Sequence, residues 1–600
     1  MTDSDMSDAG DAEITPEQVA ELVQTAHARG LMAVEQGDVA GGEKIFHGIL
    51  EIDPKNAEAL NGLGVISSSK GDLNAAERYL RQAVEIDSQN SQYHRNLGFI
   101  YAGRGRLKRA VRSLTEVVRL DPDDTEARYR LAWVHQGRGE AAEFESGLRE
   151  LLDVDASHAE ANNDLGCLLA QRGRLDEAEP YLRQSVEAKP ENAAFRSNLA
   201  NTLMMTGDVA QARDEFSVAV ESDSGHVEAI KGLAMAERVL GHLDAAMAAA
   251  EKALALAPGD ASTENLAGTI CKELGRYDDA LAHFKKACDL AEGFAPARSN
   301  IAMIELLRGE WKAGFSDYEA RRFDSSIVSP RSDLKRPQWD GSDLEGRSIL
   351  LLAEQGFGDT IQFSRFASGL AAGGGRVVLE APEPLVRLMQ TLGDSVEVIE
   401  RGSDTGDIDV IAPLMSLPHL TGVENESEVS GGPYLQAGEP AAEAASVLAG
   451  AGGIKVGINW RGAPSHKEDW KRSIDPGMLA PVLGVDGVDF FSLHIGGTEK
   501  VPAGITDLAP YIGDFAAAAA IMAGLDLVIS VDTATVHLAG ALGCKCWVML
   551  PGVPDWRWML GRDDTPWYDS LTLYRQPQAG DWASVVAAIR RDLQKLTSVR

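Results

Sequence analysis

Small and apolar positions return every 34 residues from residue 23 to residue 328 without an insertion, giving nine units. The fifteenth position is glycine each time: Gly37, Gly71, Gly105, Gly139, Gly173, Gly207, Gly241, Gly275 and Gly309. A tight turn between antiparallel helices favours positive φ at such a position, so each unit reads as helix, turn, helix. The eighth position is always small (Gly30, Gly64, Gly98, Ala132, Gly166, Ala200, Ala234, Gly268, Ala302), and so, nearly always, is the twentieth, where Phe144 is the exception. Small residues there let paired helices approach closely. Pro54, Pro122, Pro190 and Pro258 close units where the second helix must stop. The period predicts an α-solenoid over residues 19–328.

From Arg347 the pattern changes to short apolar runs alternating with helical stretches. The runs are Ile349–Ala353, Arg376–Glu380, Val396–Glu400, Ile408–Ala412, Lys455–Asn459, Phe490–Leu493, Leu527–Val531 and Cys546–Leu550. Strand, helix, strand order predicts parallel sheets wound on both faces. A pause from Gly431 to Gly453 divides the runs into two lobes, 347–440 and 453–600, with a ligand cleft expected between them. The polar stretch 329–346, with Pro337, Trp339 and Gly341, reads as a linker, and residues 1–18 as a disordered acidic tail.

Charge narrows the choice of partner. With 57 Lys and Arg against 91 Asp and Glu, the formal balance is −34, which argues against nucleic acid. An anionic nucleotide would need a local basic pocket. The five cysteines form no metal-like spacing, and Cys544 and Cys546 sit in an apolar run that reads as buried strand. The N-terminus lacks a basic start followed by an apolar core, and the longest apolar run, Phe515 to Val531, carries Asp526 and resolves into helix then strand. A cytoplasmic protein is expected.

Three strings carry candidate chemistry. The first lobe opens with a strand followed by Gln355, Gly356, Phe357, Gly358 and Asp359. Glycines at a strand-to-helix turn admit a ligand close to backbone, and Asp359 falls at the helix start, where plain capping is the alternative role. The second lobe runs Asn459, Trp460, Arg461, Gly462, then Lys467, Lys471 and Arg472. Four cations in one loop of so acidic a chain suggest a pyrophosphate site; a solvated loop offset by Glu468 and Asp469 is the other reading. The most specific string is Ser530 to Gly543, in which a buried strand runs into Asp532, Thr533 and a helix whose free amides would face an anion. His537 lies one turn beyond Thr533 on the same face. The Asp407 to Asp409 string runs into an apolar strand and reads as a turn, so no metal is expected.

The repeat positions resemble the tetratricopeptide repeat family over about half the chain. That resemblance implies a superhelix with a concave binding groove lined by each first helix, and Phe99, Trp133 and Met235 at its ninth positions are the expected anchors for a protein acceptor; packing between helices is the alternative at each. From about Ser348 onward, the glycine-aspartate and aspartate-threonine strings, with Pro551-Gly552 and Asp555-Trp556-Arg557-Trp558, resemble the GT-B glycosyltransferases of the lipopolysaccharide heptosyltransferase kind fused behind such repeats. This implies two Rossmann-like lobes and an inverting, metal-independent reaction with no cofactor. Asp359 would be the general base, while Arg461, Lys471, Arg472, Asp532, Thr533 and His537 would hold the donor, with Gln355, Gly356, Gly358 and Trp460 lining the cleft. The layout is similar to alphaproteobacterial flagellin glycosyltransferases, which implies a flagellin acceptor and a CMP-activated nonulosonic acid as the nucleotide-sugar donor. A transferase acting on lipopolysaccharide or another glycan, and a non-catalytic repeat scaffold, are the alternatives.

Overall fold

The computed structural model describes residues 15–323, 331, 333–462, 469–494 and 501–599. Compact packing divides it into two units, Met1–His242 and Leu243–Arg600.

The first unit is a solenoid of helix hairpins running from the helix Pro16–Glu35 to the helix Val227–Val239. Its first helix starts at Pro16, capped by Thr15 and Gln18, so the expected tail through residue 18 gives way to helix: a capping box satisfies the terminal amides there. The hairpin glycines Gly37 to Gly241 all take φ between 68° and 93°, which a Cβ would oppose. The small eighth positions are filled from across the hairpin. A Cβ on Gly64 would meet Leu80 at 2.5 Å, and one on Gly98 would meet Leu114 at 2.8 Å. Phe144 is accommodated by turning its buried ring edge-on to Trp133, with Gly147 lying against Ala132.

The second unit begins with five more repeat helices, from Leu243–Leu256 to Trp311–Tyr318, and continues into two all-parallel sheets. The first sheet contains β1 (Ser348–Leu352), β2 (Arg376–Ala381), β3 (Val396–Glu400) and β4 (Val410–Pro413) in the order β3-β2-β1-β4. The second contains β5 (Ile454–Asn459), β6 (Val488–Ser492), β7 (Ile505–Asp507), β8 (Leu527–Val531), β9 (Cys546–Leu550) and β10 (Leu571–Arg575) in the order β10-β9-β8-β5-β6-β7. Counted from β5, that is the doubly wound order of dinucleotide-binding sheets, with its reversal between β5 and β8; the first sheet reverses between β1 and β4. Strands β7 and β10 are additions to the eight apolar runs, because both are short edge strands with polar positions.

Two boundaries differ from the sequence reading. The division at His242 leaves the last repeats with the sheets, because Trp311, Phe315 and Tyr318 share one buried core with Trp556 and Trp567. The ring centroids lie 5.8 Å apart for Trp311 and Trp567, and 5.9 Å apart for Phe315 and Trp556. The expected linker is partly sheet. The Trp339 amide donates to the Ile411 carbonyl at 2.8 Å, Ile411 donates back to Pro337 at 2.9 Å, and the Trp339 ring is buried. No helix among the described residues is long and apolar enough to cross a membrane.

Candidate functional site

Both switch points carry the predicted strings. Strand β1 feeds the loop Glu354–Gly356, of which Gln355 and Gly356 are exposed, and then the helix Phe357–Phe363. Asp359 stands in the first turn of that helix, and its Oδ2 accepts the Gly356 amide at 3.0 Å. The capping role is therefore filled, and a second bond is added to it. Arg557, in the segment after β9, donates from Nη2 to Asp359 Oδ1 at 2.6 Å, joining the two lobes. The same guanidinium donates to Asp555 at 2.9 Å and from Nε to Gln362, and it lies 4.4 Å above the Trp556 ring. Burial works to discharge Arg557, but the charges of Asp555 and Asp359 outweigh it and hold the group protonated. The turn that carries it ends at Met559 with φ 52° and ψ −171°, a region suited to glycine.

Across from Asp359 the β8 strand delivers Asp532 and Thr533 to the start of the helix Ala534–Leu542, whose N-terminus no side chain caps. Asn459, the last residue of β5, donates its amide to both Thr533 and Thr535 hydroxyls at 3.1 Å, tying the two strands together at the reversal. The Asp532 carboxyl is pushed up to about 6, by burial first and then by the charge of Asp555, with Trp558, Arg472 and Arg557 pulling the other way. Gly358 closes the lobes onto one another, since a Cβ there would stand 2.8 Å from the His537 ring.

The predicted donor residues are only partly brought together. His537 is buried at 6% exposure, bonded through Nδ1 to the Tyr568 hydroxyl at 3.0 Å and stacked on Trp558. Burial, then Arg557, Arg365 and Arg472, pushes its imidazole well below the usual range, so it packs as a neutral ring rather than meeting a phosphate. Trp460 is likewise core and not cleft, at 2% exposure among Ile458, Ile474 and Leu479: the side chain at the strand end turns inward. Lys471 pairs with Glu273 of a repeat helix at 2.8 Å. Arg472 pairs with Asp469 at 3.0 Å and Arg461 is partly buried beyond β5. Lys467 and Glu468 lie outside the described residues. Asp409 behaves as a turn residue, accepting the Ser348 amide and hydroxyl at 2.7 Å.

A second buried ion cluster backs the first-lobe loop. Arg321, at 2% exposure just after the last repeat helix, donates to Glu354 at 2.9 Å, to Glu319 at 2.8 Å and to the Ser416 hydroxyl at 2.9 Å. Glu354 opens the loop after β1 and also accepts the Met415 amide at 3.1 Å. Arg557, Gln362, Asn459 and Arg321 were absent from the sequence-derived site. Asn459 and Arg557 stand in two of the strings singled out above, but no role followed from the sequence for either, nor for Gln362 or Arg321.

Of the groove positions, Trp133 is 46% and Met235 37% exposed. The Trp133 indole donates to Asp164 at 3.0 Å, and the same carboxylate accepts from the Tyr129 hydroxyl. Phe99 is partly covered, with Arg130 5.6 Å above its ring.

Comparison with known proteins bears on the repeats. Residues 33–97, 101–163 and 169–236 match one family model and 231–294 another, both described as tetratricopeptide repeat. The N-terminal half is a tetratricopeptide-repeat solenoid followed by an α/β part with parallel sheets. Protein FlbA of Caulobacter vibrioides is 26% identical over 329 residues, 49% of this chain and 54% of FlbA. The chain thus spans about half the length of that curated relative. Among solved structures, pilF of Pseudomonas aeruginosa is 19% identical, covering 35% of this chain and 96% of its own with a TM-score of 0.33. MamA is 23% identical, covering 28% and 96%, with a TM-score of 0.26.

Proposed function

We propose that this chain is a GT-B, inverting, metal-independent protein O-glycosyltransferase whose repeats bind the acceptor in the cytoplasm. The observation that carries the reading is the bond from Arg557 to Asp359, which fixes a carboxylate of one switch point against the open helix of the other. Orphaned polar atoms add support: Asn459 Oδ1 and Gln362 Nε2 are buried without a hydrogen-bond partner among the described residues, as groups awaiting a polar ligand would be.

In this reading Asp359 accepts the proton of an acceptor Ser or Thr hydroxyl as its oxygen attacks the anomeric carbon. The bond from that carbon to the donor phosphate breaks, and the nucleotide leaves with its electron pair. Arg461, Arg472 and the amides around Thr533 meet the charge that builds on the leaving phosphate. Asp532 faces the donor sugar, and His537 and Lys471 serve as supports, one holding Gly358 and the other tethering the donor loop to a repeat. The donor follows the resemblance to flagellin transferases: a CMP-activated nonulosonic acid, delivered to flagellin held in the groove. Intact-mass analysis of flagellin from a strain lacking the gene tests this. A loss of the sugar mass is expected. An unchanged flagellin mass with altered lipopolysaccharide would move the activity to a glycan acceptor.

A further inference from the structure

Unit one carries a charge pattern that runs against the rest of the chain. Between Glu77 and Arg119 nine Arg and Lys residues stand against four Asp and Glu, in a protein whose balance is −34. Six of the nine lie on two second helices of successive repeats, Leu73–Ile86 and Leu107–Leu120, with Arg104 and Arg106 in the turn that leads into the latter. Three of them, Arg104, Arg106 and Arg109, share the single carboxylate of Glu77. That arrangement is in part structural, since Glu145 gathers Arg149, Arg172 and Arg174 in the same way two repeats later. The surroundings separate the two places. The helix holding Glu145 also carries Glu143, Glu150 and Asp153, whereas Leu107–Leu120 carries Lys108, Arg109, Arg112 and Arg119 against Glu116 alone. Arg78, Lys108 and Arg112 are exposed and have no ion-pair partner among the described residues. Arg78, Arg81, Arg104 and Arg106, with Asn74 and Gln82, line a cavity of about 380 Å³ together with two carboxylates, Glu77 and Glu85, so four cations face two anions there.

We infer that this basic face of the second and third repeats is a docking surface for a short acidic polypeptide segment, distinct from the groove. Charge complementarity selects an anion, and the setting selects its size. Interactions between exposed charges fade beyond about 8–10 Å at physiological salt. A segment of a few acidic residues stays within the reach of the patch, while a nucleic acid or an anionic membrane extends over the surrounding acidic surface and is repelled by it. The face also offers arginine, lysine and glutamine, and no exposed aromatic residue to enter a lipid layer.

Fluorescence anisotropy with the full chain and a labelled Glu- and Asp-rich peptide tests the inference, with the Gln-substituted peptide, phosphatidylserine vesicles and single-stranded DNA as comparison probes. The acidic peptide is expected to bind, the Gln peptide to fail, and affinity to fall steeply with added salt. The combined variant Arg78→Glu, Lys108→Glu, Arg112→Glu should weaken binding by about tenfold or more. The Gln versions of the same substitutions should weaken it less, which guards against a variant that misfolds. Absence of binding by the wild type, binding unchanged in both variants, or preference for vesicles or DNA over the peptide would each overturn it.

Discussion

Arg557 donates to Asp359 at 2.6 Å across two lobes whose partners stand 198 residues apart in sequence. The guanidinium is 8% exposed and holds Asp555 as well. Replacing it with Met leaves two carboxylates facing one another without their cation. Breaking a buried pair this way costs about 3–5 kcal/mol. Arg557→Met should therefore lower the unfolding midpoint and abolish transfer together. Arg557→Lys keeps the charge but not the three-way geometry, and should fold with turnover reduced about a hundredfold. Thermal scans beside single-turnover assays check this; full activity in Arg557→Lys would remove the positioning role.

The last repeats belong to the same compact unit as the two sheets, so a chain beginning at Leu243 should fold cooperatively and one beginning at 329 should not. The shorter chain uncovers Trp556 and Trp567 and leaves Glu354 without Arg321. Exposed patches of that kind promote aggregation. Expression of both fragments, followed by size-exclusion chromatography and near-ultraviolet circular dichroism, distinguishes the outcomes; a monodisperse, cooperatively unfolding 329–600 fragment is the contrary result.

Stability should also depend on pH through Glu305 in the penultimate described repeat helix, Ala295–Leu307. Burial first, then the charges of Asp317 and Glu310, pushes its carboxyl up to about 7, and its Oε2 lacks a hydrogen-bond partner. The unfolded value is about 4.3. A carboxyl raised on folding favours the folded state fully below the unfolded value, and that contribution is lost as pH rises through about 7. Glu305→Gln should consequently match wild type near pH 4 and exceed it above pH 7, by about 1–2 kcal/mol once the full linkage value of about 3–4 kcal/mol is discounted for the solvent that reaches this partly buried group. Denaturant titrations across that range measure the difference, and a gap that shrinks with rising pH would contradict the assignment.

Much of the fold was legible because it is periodic. The glycine register gave the hairpins, and their φ values show why no other residue recurs there. Eight strands followed from apolar runs, and the two strings at the reversals, ending in Asp359 and Asp532, were visible because a buried strand leads into a helix start. The rest depends on distant approach. Nothing near Lys471 in sequence predicts Glu273, and nothing near Glu354 predicts Arg321. Trp460 was misplaced for a related reason: at a strand end, one face looks into a cleft and the other into the core, and spacing alone does not choose. His537 lies one turn beyond Thr533, as the spacing implies, but Tyr568 and Trp558, which bury its ring, come to it only in the folded chain.

The expectation that no metal takes part gives a simple outcome. Transfer by the full chain should be unchanged by a chelator, with the helix amides at Thr533 and the arginines supplying the positive charge. Loss of activity in chelator, restored by a divalent cation, would require a different account of the leaving group.

The most direct test of the central claim is turnover of purified Asp359→Asn against wild type, with a nucleotide-sugar donor and a folded flagellin acceptor. Asn retains the size of the side chain, but its one amide oxygen can keep only one of the bonds from Arg557 and Gly356, so a thermal scan run beside the assay shows whether the variant folds. Intact donor binding is expected, with transfer reduced by about a hundredfold or more, the usual worth of a general base. Near wild-type transfer by Asp359→Asn would contradict it.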